Sequence, residues 1–195
     1  MRTALMVLDV QMGIDEAAHW GGNRNNLLAE DLIRQILEFW REHQWPVYII
    51  QHCSTSSTSP LRPGQMGNDL KEFVQPRQIE RLVKKSHTNA FIQTDLHELL
   101  QQDGIAKLVM CGFVTNNSVE ATARMAGDLG YKVTVLSDGT ATFNKQGIDG
   151  TVYTSELIHQ ISLANLRDEY AAVKSTQEVM REYGFSEDQS RPKNL

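Results

Sequence analysis

The strongest constraint on this chain is a repeated alternation of short apolar runs with segments of helical periodicity. Residues 4–10 are almost continuously apolar and carry Asp9 near their end. Residues 25–43 follow with Leu28, Leu32, Ile36 and Trp40 at successive i+4 steps, one face of a helix. Further short strands are expected at 47–52, 82–84, 107–113, 132–137 and 171–173. Helices are expected from Thr94 to Gly104 and over 119–129, 156–170 and 176–182. Strands alternating with helices imply parallel βαβ units and a sheet covered on both faces. The expected architecture is α/β: a Rossmann-like three-layer α/β/α fold with a mostly parallel sheet of about six strands. At 195 residues the chain suits one domain, with a polar tail from about residue 184.

Composition narrows the function classes. Lys and Arg total 19 against 24 Asp and Glu, a net charge of −5, and no basic patch of the kind that tracks nucleic-acid phosphates is visible. No apolar run approaches the ~20 residues that span a membrane. Two cysteines, Cys53 and Cys111, are too few for a disulfide framework. A cytoplasmic protein with reduced thiols, binding neither nucleic acid nor membrane, is the expectation. Familiar α/β motifs are missing: no G-x-G-x-x-G follows the first strand, and there is no phosphate-binding G-x-x-x-x-G-K-[ST] loop and no G-x-S-x-G elbow. No cofactor is expected.

Parallel sheets bind ligands beyond the carboxyl ends of their strands. Three polar residues fall there. Asp9 closes the first apolar run, where a carboxylate either caps a neighbouring element or serves as a general base. Lys85 follows the third strand, as a solvated lysine or as a partner for Asp9. Ser118 opens the helix after the 107–113 strand, as a first-turn serine or as a nucleophile beside free backbone N–H groups. The segment from Cys53 to Gly67, rich in Ser, Thr, Pro and Gly, reads as a long loop of the kind that often carries function.

Three ordered segments resemble the isochorismatase-like hydrolases, whose members are mostly cysteine hydrolases. Ala4-Leu5-Met6-Val7-Leu8-Asp9-Val10-Gln11 resembles a strand ending in D-x-Q. Lys85-Ser86-His87-Thr88-Asn89-Ala90-Phe91, leading into Thr94-Asp95-Leu96, is similar to the family's lysine segment. Gly112-Phe113-Val114-Thr115-Asn116-Asn117-Ser118-Val119 and the following Thr122-Ala123 resemble G-x-x-T-x-x-C-V-x-x-T-A. The resemblance implies a catalytic triad at Asp9, Lys85 and Ser118, with the backbone N–H groups of Val114 and Ser118 as an oxyanion hole after a cis Phe113–Val114 peptide. It implies a small-molecule substrate, hydrolysis of an amide-type C–N bond, and a homodimer or larger homo-oligomer. Gln11, Trp20, His52, Phe113, Thr115 and Tyr153 are the candidate substrate-binding residues. Metal-dependent relatives carry D-x-H beside the second strand, whereas Gln51-His52-Cys53 stands here, so no metal is expected.

Ser118 occupies the position where the resemblance leads one to expect a nucleophilic cysteine. A hydroxyl is a far weaker acid than a thiol. Three accounts stay open at this point: a natural serine variant, a Cys→Ser change, or chemistry that never needed a thiol. Isochorismate vinyl-ether hydrolysis is of the last kind. A non-catalytic ligand-binding member of the fold is a further alternative.

Overall fold

The computed structural model describes residues 2–188. In chain order it contains β1 (Arg2–Leu8), α1 (Ala17–Trp20), α2 (Ala29–Glu42), β2 (Val47–His52), β3 (Arg81–Lys85), α3 (Leu96–Gln102), β4 (Ile105–Phe113), α4 (Glu120–Asp128), β5 (Lys132–Ala141), β6 (Lys145–Gln146), β7 (Val152–Tyr153), α5 (Ser155–Leu166), β8 (Ala171–Lys174) and α6 (Thr176–Asp188). Six strands form one sheet in the order β3-β2-β1-β4-β5-β8, with every adjacent pair parallel. The expected polar tail is helical as far as Asp188; its remainder lies outside the described residues.

The period-2 geometry of a strand explains the layers. Along β1, Ala4, Met6 and Leu8 pack on one face with Leu96 and Leu100 of α3, Ala123 of α4 and Leu163 of α5. Leu5 and Val7 point the other way, onto Ile33, Ile36 and Trp40 of α2 and Val179 of α6. Both faces are therefore covered, and the centre of β1 has to be apolar throughout.

The buried face of α2 differs in part from the expected one. On α2 the buried stripe is Ala29, Ile33, Ile36, Leu37 and Trp40, while Leu28 lies before the helix and is exposed. A strict i+4 row drifts around a 3.6-residue helix, so a straight stripe must mix i+3 and i+4 steps. On α5, Leu157 and Ile161 are exposed, and Ser155, His159 and Ser162 are buried. Leu163 and Leu166 are buried too, and the polar part of that inner face bonds to neighbouring segments: Ser162 Oγ donates to the Thr115 carbonyl, and His159 sits 2.9 Å from Thr115 Oγ1. Phe39, Trp40 and Trp45 pack within the chain, with Trp45 against Trp40 and Tyr183 at 5.1 and 5.7 Å between ring centroids.

The strand order reverses between β1 and β4, which opens a crevice beyond their carboxyl ends. Gly112 brings the two strands together there. Its φ is +123°, and a Cβ at this position would lie 2.0 Å from the Leu8 carbonyl oxygen. Only glycine fits so close an approach.

Candidate active site

Asp9 follows β1 directly, with φ +54°, a left-handed conformation that aspartate tolerates better than most residues. Its N–H is tied to the Ile50 carbonyl at 2.9 Å. Lys85 ends β3, and Ser118 lies in the turn Thr115–Val119 between β4 and α4. These three residues, from three separate segments, meet at the crevice. Lys85 Nζ donates to Asp9 Oδ2 at 2.8 Å and to Ser118 Oγ at 3.1 Å. It also lies 3.2 Å from His52 Nδ1 and 3.3 Å from the His87 carbonyl oxygen. The Lys85 and Asp9 side chains are 0% and 3% exposed, so the ion pair is withdrawn from water. Asp9 Oδ1 is buried and has no hydrogen-bond partner among the described residues.

An ammonium can only donate, so His52 Nδ1 accepts from Lys85 and the imidazole is neutral with its proton on Nε2. Burial and the adjacent Lys85 charge both hold the His52 pKa below its ordinary value, which agrees with that tautomer. Strand register creates the contact: His52 pairs directly with Lys85 across β2 and β3.

A cavity of about 240 Å³ opens over these groups. Asp9, His52 and Ser118 line it, together with Val114 and Asn117 from the turn after β4. The Phe113–Val114 peptide is cis. Trp20 and Phe113 form part of the wall, together with Ile14 and Leu61. Trp20 is fixed by donating Nε1–H to the Gly13 carbonyl at 2.8 Å and by stacking on Phe143. The loop after Cys53 contributes Ser54, Ser56 and Ser59, and the turn after β3 contributes Thr88.

The other candidates stand elsewhere. Gln11 does not line the cavity. It is fully buried and brackets the loop, donating to the His52 and Asn68 carbonyls and accepting from the His52 N–H. Thr115 turns away from the cavity toward His159. Tyr153 lies on β7, paired with Lys145 in a small exposed hairpin and outside the cavity wall. Cys53 is half-buried with Sγ 4.0 Å from Asn68 Nδ2, and Cys111 is buried within β4, where desolvation pushes its thiol pKa well up. Asn68, not singled out by the sequence, fastens the long loop by donating to the His52 and Leu61 carbonyls. Ile14, His19, Thr88 and Asn117 also line the cavity without having been singled out, since no local pattern marks a residue as facing a crevice.

Among the described residues, no group of three or more His, Cys, Asp or Glu side chains is placed to hold a metal ion. Nor is any described helix long and apolar enough to cross a membrane.

Known proteins share this arrangement of chain. The isochorismatase domain model matches residues 3–178. The isochorismatase family protein YrdC of Bacillus subtilis is 38% identical over 182 residues, covering 93% of this chain and 96% of that protein. Nicotinamidase 3 of Arabidopsis thaliana is 26% identical over 194 residues, covering 91% of this chain and 87% of that one. A crystal structure of an isochorismatase-family protein from Chromobacterium violaceum superposes with a TM-score of 0.89 at 38% identity, covering 94% of each chain. With the family model spanning most of its length, the chain belongs to the isochorismatase family of hydrolases.

Proposed function

We propose that the protein hydrolyses a small amide through a covalent intermediate on Ser118, with Asp9 as the general base and Lys85 as their electrostatic partner. The observation that carries this reading is Lys85 Nζ bonded at once to Asp9 Oδ2 and Ser118 Oγ, two residues that line a half-open cavity. The name of nicotinamidase 3, a relative that acts on an amide, supports it.

In this mechanism Ser118 Oγ attacks the amide carbonyl carbon, and its proton passes to Asp9 Oδ1, the carboxylate oxygen left without a partner. The carbonyl π electrons move onto oxygen, and the backbone N–H groups of Val114 and Ser118 stabilise that charge. Collapse breaks the C–N bond, and Asp9 returns the proton to the departing nitrogen. Water then attacks the Ser118 ester carbonyl, giving a proton to Asp9; the C–Oγ bond breaks, Asp9 returns that proton to Ser118 Oγ, and the carboxylic acid leaves. Lys85 keeps the carboxylate oriented and lowers the cost of negative charge on Oγ. A serine is harder to activate than a cysteine at the same position, so turnover is slow.

Two unpaired cysteines suit a reducing, cytoplasmic setting. Leu157 and Ile161 on the outer face of α5 suit contact with another copy of the chain.

The vinyl-ether reading, hydrolysis of isochorismate, draws on the serine alone, because that chemistry needs no thiol. A panel of neutral amides plus isochorismate separates the readings. Release of ammonia or amine by the native protein, lost in Ser118→Ala and accelerated in Ser118→Cys, is expected. Isochorismate turnover that persists in Ser118→Ala would establish the vinyl-ether alternative. A native protein inert toward every substrate, with Ser118→Cys equally inert, would leave a binding protein.

A further inference from the structure

We infer that the cavity selects compact, uncharged amides and rejects substrates that carry a net charge, whether carboxylate or cation. The inference rests on the hydrolase reading for the orientation of the amide toward Ser118. Its argument comes from the charge balance of the walls.

Among the described residues, the cavity walls carry a single anion, the Asp9 carboxylate, and it is already neutralised by Lys85 at 2.8 Å. Among the described residues, no arginine, lysine or further carboxylate lines the walls. The nearby Arg24 stacks on the Phe113 ring at 5.3 Å, but it is ion-paired to Glu30 and does not line the cavity. His52 is the titratable group of the interior, and burial and Lys85 keep it neutral. His19 lines the cavity as well but is exposed, at its solvent side. His87 offers only its backbone carbonyl, to Lys85.

A carboxylate entering this space meets no free cation, and an ammonium finds only an acid already paired. An ion moved out of water without a partner is strongly disfavoured. Neutral polar groups fare better. Ser54 Oγ and Ser59 Oγ each accept a backbone N–H and donate to no described residue, so their hydroxyl protons are available to a carbonyl. The walls also include Ile14, Leu61, Phe113 and a Trp20 ring whose polar N–H is already used. At about 240 Å³ the space is smaller than the roughly 300–1,000 Å³ typical of pockets for drug-sized ligands.

Three benzamides of equal heavy-atom count test the charge rule: 4-acetylbenzamide, 4-carboxybenzamide and 4-amidinobenzamide, titrated calorimetrically into the native protein at pH 7.5. The acetyl compound is expected to bind at least about tenfold more tightly than either ion. Thr88→Lys, a change at an exposed wall position, is expected to bring the carboxy compound to within about threefold of the acetyl one by supplying the missing cation. Equal binding of either ion and the neutral compound by the native protein would overturn the inference, as would no binding of any of the three. Ammonia release is measured in parallel. A neutral preference in binding without hydrolysis of any amide would defeat the hydrolase reading while leaving the charge rule intact.

Discussion

Lys85 donates to Asp9 at 2.8 Å although the strands that lead to them are not neighbours. β2 lies between, so the two backbones stand about 10 Å apart at the usual strand spacing. A long side chain is needed to cross that gap, and in crossing it meets His52 at the end of β2. Removing either partner strands the other charge in a buried site. Lys85→Met is expected to destabilise the fold by about 3–5 kcal/mol. The double variant Asp9→Asn/Lys85→Met should cost less than the two singles added, by about 1–3 kcal/mol, and should remain inactive. Urea unfolding of the four proteins measures this; strict additivity would mean that the pair is not coupled.

Gly112 fixes the distance between β1 and β4 just below the site. With φ at +123° and the Leu8 carbonyl in the place of a Cβ, Gly112→Ala should cost well over ~1 kcal/mol and lower activity as Phe113 and Val114 shift. Gly64 has φ +87° but open space around it, so Gly64→Ala meets the backbone penalty alone and makes the comparison. Thermal unfolding of both variants should show the larger loss at Gly112. A similar loss at the two positions would contradict the close-approach argument.

These relationships were unequally legible in the chain. Residues 47–52 stand as a strand at their expected bounds, because a continuous β-branched and aromatic run after Pro46 has no competing periodicity. Asp9, Lys85 and Ser118 were found through segment resemblance and strand-end logic. The His52–Lys85 contact was not, because it depends on the parallel register of β2 against β3, which no local pattern encodes. The β6–β7 hairpin also escaped, since two-residue strands carry no alternation to detect. On α5 the usual apolar-inward rule holds for Leu163 and Leu166 but not for Leu157 and Ile161, because Thr115, Ser137 and Glu120 supply hydrogen bonds to His159 and Ser162 on the inner face. Gln11 and Thr115 lie beside the cavity in sequence but serve its supports in space.

Two buried histidines give stability a defined pH dependence. Burial is the largest cause holding the His52 and His159 pKa values below the ordinary one. Above about pH 6.5 both are neutral in the folded and unfolded chain and contribute no slope. Below it the unfolded chain takes up protons before the folded one, so stability falls as pH falls, by at most about 1.4 kcal/mol per pH unit for each histidine. Unfolding free energies between pH 7.5 and 5.5 should show this decline, and His159→Gln should make it shallower. An unchanged slope in that variant would remove His159 from the account.

The central claim is that Ser118 carries the acyl group. Intact-protein mass spectrometry after brief exposure to 4-nitrophenyl acetate, followed by peptide mapping, tests it most directly. The account predicts one acetyl group on Ser118 of the native protein, none there in Asp9→Asn, and no compensating label at Cys53 in Ser118→Ala. An unlabelled Ser118 in the native protein, or full labelling of Ser118 in Asp9→Asn, would contradict it.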